Sequence, residues 1–207
     1  MLLSWFENVF QSISSTPLST SLPPGEKHKT SIMAEAVANV ARRVNATVEE
    51  EKDTLDLSNC KLISFPDGVF RVLHCVAEKI HMVTLADNEI KGLTGKFFKT
   101  FTQLRELDLH NNAIMRLPDV VAELEHLTSI NLANNKLSVF PERLTDIQSL
   151  ERINLEGNAI TDIPVEKLQA MPVLKCLNLK SNPLDNNLLT AIQQFPQTFE
   201  IQTTTDN

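Results

Sequence analysis

Apolar residues recur along most of the chain at fixed spacing, in one phrase that is clearest in residues 104–118, 127–141 and 150–164. Each of these segments has apolar residues at positions 1, 4, 6, 11 and 14, an asparagine at position 9 and a proline at position 15. The apolar residues at positions 4 and 6 flank a polar one, and this alternation predicts a short strand with one buried face. One copy cannot cover its own apolar face, so the pattern predicts copies stacked on one another.

Three further copies of the phrase occupy residues 55–66, 80–93 and 174–184, and the first of them has Cys60 in place of the asparagine. The asparagines are 24, 23, 23 and 24 residues apart, whereas 28 residues separate Cys60 from Asn88. The longer interval predicts a helix inserted between residues 66 and 79. Its inward residues are predicted to be Val69, Phe70, Leu73 and Val76, and Phe97, Phe98 and Phe101 are predicted to fill the core behind the second copy.

The phrase L-x-x-L-x-L-x-x-N/C-x-L resembles that of the leucine-rich repeat family, in its 23-residue version with a Leu-Pro turn. Residues 35–38, 54–57, 103–107 and 164–168 extend the resemblance, over 33–182, to a small intracellular member made of little but repeats. The resemblance implies an α/β solenoid of about six repeats. Its concave face would carry a short parallel sheet, its convex face 3₁₀ and short helices, and its N-terminus a helical cap. It implies no catalytic or ligand-binding residues.

The residues at position 9 are predicted to form a structural ladder. A buried amide at a tight turn satisfies backbone groups of neighbouring copies that would otherwise be unpaired. The thiol in the first copy is a weaker donor than an amide. The ladder residues are Cys60, Asn88, Asn112, Asn135, Asn158 and Asn182.

The segments outside the repeats, which span residues 53–184, are predicted to be a leader and two caps. Residues 1–31 are rich in Ser, Thr and Pro, which predicts disorder, although residues 2–13 have the apolar spacing of a short amphipathic helix. Residues 32–52 are predicted to be a capping helix, which starts at a Ser31 cap and covers 33–48, and an acidic connector. Its apolar stripe is predicted to face the repeats, whereas Arg42, Arg43, Asn39 and Asn45 point elsewhere. Residues 185–207 are predicted to cap the last repeat through Leu188, Leu189, Ile192 and Phe195, and to fray beyond Pro196.

Charge and cysteine content narrow the classes of partner. The formal net charge of −7 disfavours nucleic acid and acidic lipid surfaces. No apolar run has the ~20 residues that a membrane-spanning helix needs, so we expect no integral membrane segment. The start of the chain lacks the basic residues of a signal peptide, and three cysteines cannot form a closed set of disulfides. These features favour a cytoplasmic protein, and a monomer is favoured over an oligomer.

Candidate chemistry is sparse. The glycines at 92 and 95 before Lys96 are too close for a phosphate-binding loop, and the adjacent His74 and Cys75 lack the spacing of zinc ligands. Asp108 and His110 share a face and can interact, but the repeat places no nucleophile beside them. Cys176 is interpreted as an inert thiol with only Lys175 nearby to lower its pKa. The sequence predicts no catalytic residue, no metal site and no cofactor.

The outward strand positions remain as the candidate protein-binding face. Acidic residues lie toward its first half and basic residues toward its end, although a solvated face of mixed charge is the alternative interpretation. The candidate binding residues are Asp56, Met82, Thr84, Glu106, Asp108, His110, Ser129, Asn131, Arg152, Asn154, Glu156, Asn178 and Lys180.

The sequence therefore predicts a non-catalytic intracellular module, or scaffold, that binds an unknown protein partner on the concave face and its flanking loops. Two alternatives stay open. One is a regulatory or inhibitory subunit of an enzyme or a small GTPase, by analogy with other repeat proteins. The other is a membrane-tethered scaffold that uses residues 2–13.

Overall fold

A computed structural model describes residues 27–194 and 198–204. The helices are α1 Lys27–Glu49, α2 Asp67–Leu73, α3 Gly95–Thr100, α4 Val165–Gln169 and α5 Asn186–Gln194. 3₁₀ turns cover Ala77–Lys79, Asp119–Glu123 and Glu142–Asp146. The strands are β1 Thr54–Asp56, β2 Met82–Thr84, β3 Glu106–Asp108, β4 Ser129–Asn131, β5 Arg152–Asn154, β6 Cys176–Asn178 and β7 Glu200–Gln202.

All seven strands form one parallel sheet in chain order, and from β1 to β6 each residue pairs with the same repeat position in the next strand. The middle residue of β1 to β6 points into the core, where at most 1% of its surface is exposed. These residues are Leu55, Val83, Leu107, Ile130, Ile153 and Leu177. The α/β solenoid predicted from the repeated phrase is therefore confirmed.

The sheet has one strand more than the repeats predict, and the prediction that the chain frays beyond Pro196 is wrong for the described residues 198–204. The edge of β6 would otherwise expose unpaired backbone groups. Instead the Leu179 N–H donates to the Gln202 carbonyl at 2.7 Å, and the Glu200 N–H donates to the Lys175 carbonyl at 2.8 Å. In α5, Leu188 and Ile192 are buried and Leu189 is half-buried, while Phe195 lies outside the described residues.

Helix α1 begins at Lys27, so the predicted disorder of residues 27–31 and the Ser31 cap are both wrong. The last helix-breaking residues before it are Pro24 and Gly25, and nothing in the next residues opposes helix formation. Residues 1–26, which include the predicted amphipathic helix over 2–13, lie outside the described residues.

Helix α1 covers the first repeat with its predicted apolar stripe, since Val37, Val40 and Val44 are buried. Arg43 and Asn39 lie beside this stripe, as predicted, but they also reach the first repeat, which the sequence did not predict. The Arg43 guanidinium donates to the carbonyls of Asp56 at 3.3 Å and Ser58 at 3.0 Å. It reaches them because β1 has no preceding strand to pair with these carbonyls, so the capping helix supplies the donors.

The convex side follows the predicted pattern. Helix α2 fills the longer first interval and buries Val69, Phe70 and Leu73. Phe97, Phe98 and Phe101 of the second repeat are buried as predicted. In four repeats the helix or 3₁₀ turn begins directly after a proline, at Pro66, Pro118, Pro141 and Pro164.

Candidate protein-binding face

The buried asparagines join each repeat to the one before it. The Asn112 Oδ1 atom accepts a hydrogen bond from the Ile90 N–H at 2.9 Å, and its Nδ2 donates to the Leu85 carbonyl at 2.9 Å. Both partners belong to the preceding repeat. The same pair of bonds is made by Asn88, Asn135, Asn158 and Asn182. The turns that carry the concave face are thereby fixed relative to one another.

Cys60 occupies the first ladder position, where no repeat precedes it. Its thiol donates to the Ser58 carbonyl at 3.4 Å and accepts from Asn39 Nδ2 of α1 at 3.7 Å. Burial raises the pKa of the Cys60 thiol, which keeps it protonated as a donor. The weak donor is sufficient here because there is no earlier turn for an amide to reach.

The central column of the concave face has a role that sequence analysis missed. The oxygens of Asp56, Asp108, Asn131, Asn154 and Asn178 each accept the backbone N–H two residues later, at distances of 2.8–3.1 Å. Thr84 makes a longer bond of the same kind at 3.4 Å. Such bonds are typical of turns that begin with Asp, Asn or Thr. The recurrence of these residue types at position 5 of the phrase was the signal for it.

A row of residues at positive φ, here called the positive-φ row, lies beside the ladder, and five of its six members are polar. Its members are Asn59, Asp87, Asn111, Asn134, Gly157 and Ser181, with φ between 51° and 67°. Asn111 Nδ2 donates to Asp87 Oδ1 at 2.7 Å, and Asn134 Nδ2 donates to Asn111 Oδ1 at 2.8 Å. Asn and Asp tolerate this backbone region better than other side chains do. The row ties together the loops that follow the strands.

His110 interacts with Asp108, as the shared face predicts. Its Nδ1 lies 2.9 Å from Asp108 Oδ1, and its Nε2 lies 3.7 Å from Asp87 Oδ2. Both ring nitrogens therefore face carboxylates rather than a hydroxyl or thiol. This arrangement binds the loop of one repeat to the strand of the next and does not set up a nucleophile.

The surroundings of Cys176 differ from the prediction. The Lys175 ammonium lies 2.7 Å from the Glu151 carboxylate, so it is engaged elsewhere. Partial burial, followed by the nearby charge of Glu200 on β7, raises the pKa of the Cys176 thiol, and the opposing cations Arg152 and Lys180 only partly offset this. The thiol is held in its unreactive form.

The register brings all thirteen candidate binding residues onto one open face. The first strand position contributes Met82, Glu106, Ser129 and Arg152, and Met82 is 37% exposed. The third position contributes the strand-ending residues described above. The position after the strand contributes His110, Glu156 and Lys180. The buried Ala133 occupies this position between His110 and Glu156.

Within residues 27–194 and 198–204, no three His, Cys, Asp or Glu side chains are grouped so that they could ligate a metal ion. None of the helices in the same ranges has the length and hydropathy needed to cross a membrane.

The repeated phrase, the ladder and the parallel sheet define a solenoid of leucine-rich repeats. A sequence model of the family described as Leucine rich repeat matches residues 78–137. The chain belongs to the leucine-rich repeat family. It is 64% identical over 152 residues to leucine-rich repeat-containing protein 20 of Mus musculus, which covers 73% of this chain and 83% of that protein. The Homo sapiens protein of the same name is 61% identical over 153 residues, covering 74% of this chain and 83% of its own length.

Solved structures share the fold. A leucine-rich repeat protein of Leptospira interrogans superposes with a TM-score of 0.60 at 27% identity, over 69% of this chain and 34% of that one. The leucine-rich repeat domain of the type III effector XopL superposes with a TM-score of 0.62 at 22% identity, over 86% and 58%. The chain thus spans less than two thirds of either structure.

Proposed function

We propose that this chain is a non-catalytic, cytoplasmic interaction module that binds a segment of a partner protein on the concave face and the adjoining loops. The observation that carries the proposal is a division of roles on that face. The central side chains end the strands, whereas Glu106, Ser129 and Arg152 beside them contribute to no ladder or turn. Residue types that the fold does not require are available for recognition. The unpaired thiols of Cys60, Cys75 and Cys176 support a reducing compartment.

The size of the face sets the expected mode of binding. Seven strands at a spacing of ~4.8 Å give a sheet about 29 Å long. Its strands have three residues each, so the sheet offers less than the ~800 Å² per partner of a standard interface. The loops of Asp87, Asn111 and Asn134 extend the surface. Because their side chains are already hydrogen-bonded to one another, they lose little conformational entropy on binding.

A pair of matched variants tests the proposal. Ser129→Lys places a long side chain in the centre of the concave face, and Ser138→Lys makes the same change on the exposed outer side of the same repeat. We expect quantitative affinity capture from cell extract to lose its specific partners with Ser129→Lys and to keep them with Ser138→Lys.

We expect circular dichroism and thermal unfolding to show that both variants fold, because neither serine side chain makes a hydrogen bond within the described residues and Ser138 is exposed. Equal capture by the two variants would contradict binding on the concave face. Loss of every partner with Ser138→Lys alone would move the interaction to the convex side.

A further inference from the structure

We propose that the partner segment carries a basic side chain and an acidic side chain in a fixed order, the basic one over β3 and the acidic one over β5. This inference rests on the proposed function, because it specifies the chemistry of the segment that the concave face would bind. It follows from the charges along two rows of side chains that cross the strands. In the third row, His110 and Glu156 already have partners on the face, because the His110 ring lies 2.9 Å from Asp108 and Glu156 accepts from Asn178 Nδ2 at 2.9 Å.

The first row runs from Glu106 through Ser129 to Arg152, which are paired in register on β3, β4 and β5. Within the described part of the chain, the Glu106 carboxylate makes no hydrogen bond or ion pair. The Arg152 guanidinium is 3.7 Å from Glu151, whose carboxylate is closer to the Lys175 ammonium, and the Arg152 side chain is 55% exposed. A negative and a positive group therefore face the concave side with a small residue between them.

The second row, formed by Asp108, Asn131 and Asn154, has its carboxylate at the same end, over β3, and neutral amides over β4 and β5. In each residue Oδ1 is fixed by a backbone N–H at 3.1 Å. The side chains cannot turn over without losing that bond. Their remaining atoms are therefore a carboxylate oxygen on Asp108 and amide donors on Asn131 and Asn154, so the face accepts hydrogen bonds over β3 and donates them over β4 and β5.

The distances fit a short extended segment that lies across the strands. Two strand spacings separate β3 from β5, which is ~9.6 Å. Side chains two positions apart in an extended peptide lie on the same side, ~6.8 Å from each other, and the lengths of Lys or Arg and of Glu cover the difference. The small Ser129 lets the peptide backbone approach the sheet between them. The reverse order would place an acid against Glu106 and a base against Arg152, which costs affinity and suppresses wrong partners.

The order of charge is tested with a displayed library of random twelve-residue peptides, selected separately on the full chain and on the double variant Glu106→Arg/Arg152→Glu. The double variant has the same net charge as the original and reverses only the order along the row. Arg116→Glu/Glu123→Arg makes the same exchange at exposed positions away from the concave face and is the control.

We expect the original chain to enrich peptides with a basic and an acidic residue two positions apart, and the double variant to enrich the reversed order. Each selected peptide should bind its own protein about tenfold more tightly than the other, and the control should behave like the original. Peptides that lose affinity for the double variant but show no charge order would overturn this inference and leave concave binding intact. Peptides that bind the two proteins equally would overturn this inference and also binding on the concave face. The recovery of no peptide would overturn recognition of a short segment.

Discussion

Gly157 is the one member of the positive-φ row that has no side chain. The residue has a φ of +67°, and a Cβ built on it would lie 2.2 Å from the Asn134 Oδ1 atom. That oxygen belongs to the side chain that donates to Asn111, so it cannot move away without breaking the row. The glycine is required here both by its backbone conformation and by the closeness of its neighbour.

We predict that Gly157→Ala lowers the free energy of unfolding by about 1–3 kcal/mol, because the alanine is strained at positive φ and displaces Asn134. Gly92→Ala is the matched control, since no atom lies within 4 Å of its added Cβ. It should be neutral or stabilising by about 0.4–1 kcal/mol through the unfolded state. Denaturant unfolding of both variants measures the difference, and equal stability would show that Asn134 yields easily.

Residue roles were predictable from sequence where they repeat inside the core and not where they depend on a neighbour at an edge. The spacing of the asparagines indicated an inward position in each copy, and Asn112 and Asn135 lie there. Arg43 could not be assigned, because its partners are carbonyls that lack a preceding strand, a property of the assembled sheet. The charge order of the concave rows likewise depends on which atoms the strand-ending bonds leave available.

The backbone groups at the two edges of the sheet are satisfied in different ways by the elements at the two ends of the stack. At the first edge, α1 supplies side-chain donors, and Thr47 joins Arg43 by donating to the Thr54 carbonyl at 3.4 Å. At the other edge, β7 supplies backbone groups to β6. Helix α1 was predictable from its apolar stripe. Strand β7 was not, because Glu200–Gln202 lacks the repeated phrase and three residues carry too little pattern.

We predict that Arg43→Ala lowers the free energy of unfolding by about 1 kcal/mol, because two edge carbonyls and the Asp56 carboxylate lose their shared donor at a half-exposed site. The neighbouring Arg42→Ala removes a similar side chain whose one hydrogen bond, at 3.5 Å, is to Asn39 of the same helix. Its effect should stay within about 0.5 kcal/mol. Chemical denaturation compares the two, and an Arg42 effect as large as that of Arg43 would contradict the edge-capping role.

Across the whole molecule, ion pairs join neighbouring repeats and join the first repeat to the connector that follows α1. The Lys167 ammonium lies 2.6 Å from Glu142, the Lys175 ammonium 2.7 Å from Glu151, and the Lys79 ammonium 2.6 Å from Glu51. Hydrogen bonds from these lysines hold the pKa of each glutamate below its ordinary value. A carboxyl whose pKa is lower in the folded state stabilises that state only while it is ionised.

We therefore predict that this stabilisation is complete above the ordinary glutamate pKa of 4.5 and is lost as the pH falls through the lower folded-state pKa values. Glu142→Gln should flatten the dependence of thermal stability on pH between about pH 3 and pH 6. Glu125→Gln, at an exposed position, should leave it unchanged. Added salt should reduce the difference between the two variants, and a salt-independent difference would point to a cause other than these exposed pairs.

The side-chain bonds of the ladder asparagines between repeats all run in one direction along the array, and this direction determines where copies can be added or removed. From Asn88 onward, the side chain of each ladder asparagine bonds to backbone groups of the preceding copy, and none of these bonds goes to the copy that follows. An internal copy can therefore be duplicated or deleted as a unit, because the asparagine of the next copy meets the same backbone N–H and carbonyl in whichever copy then precedes it. The first copy, with Cys60 held by Asn39 of α1, is the exception. It cannot be exchanged for an internal copy without the helix that precedes it, so lengthening of the array is confined to the positions behind it.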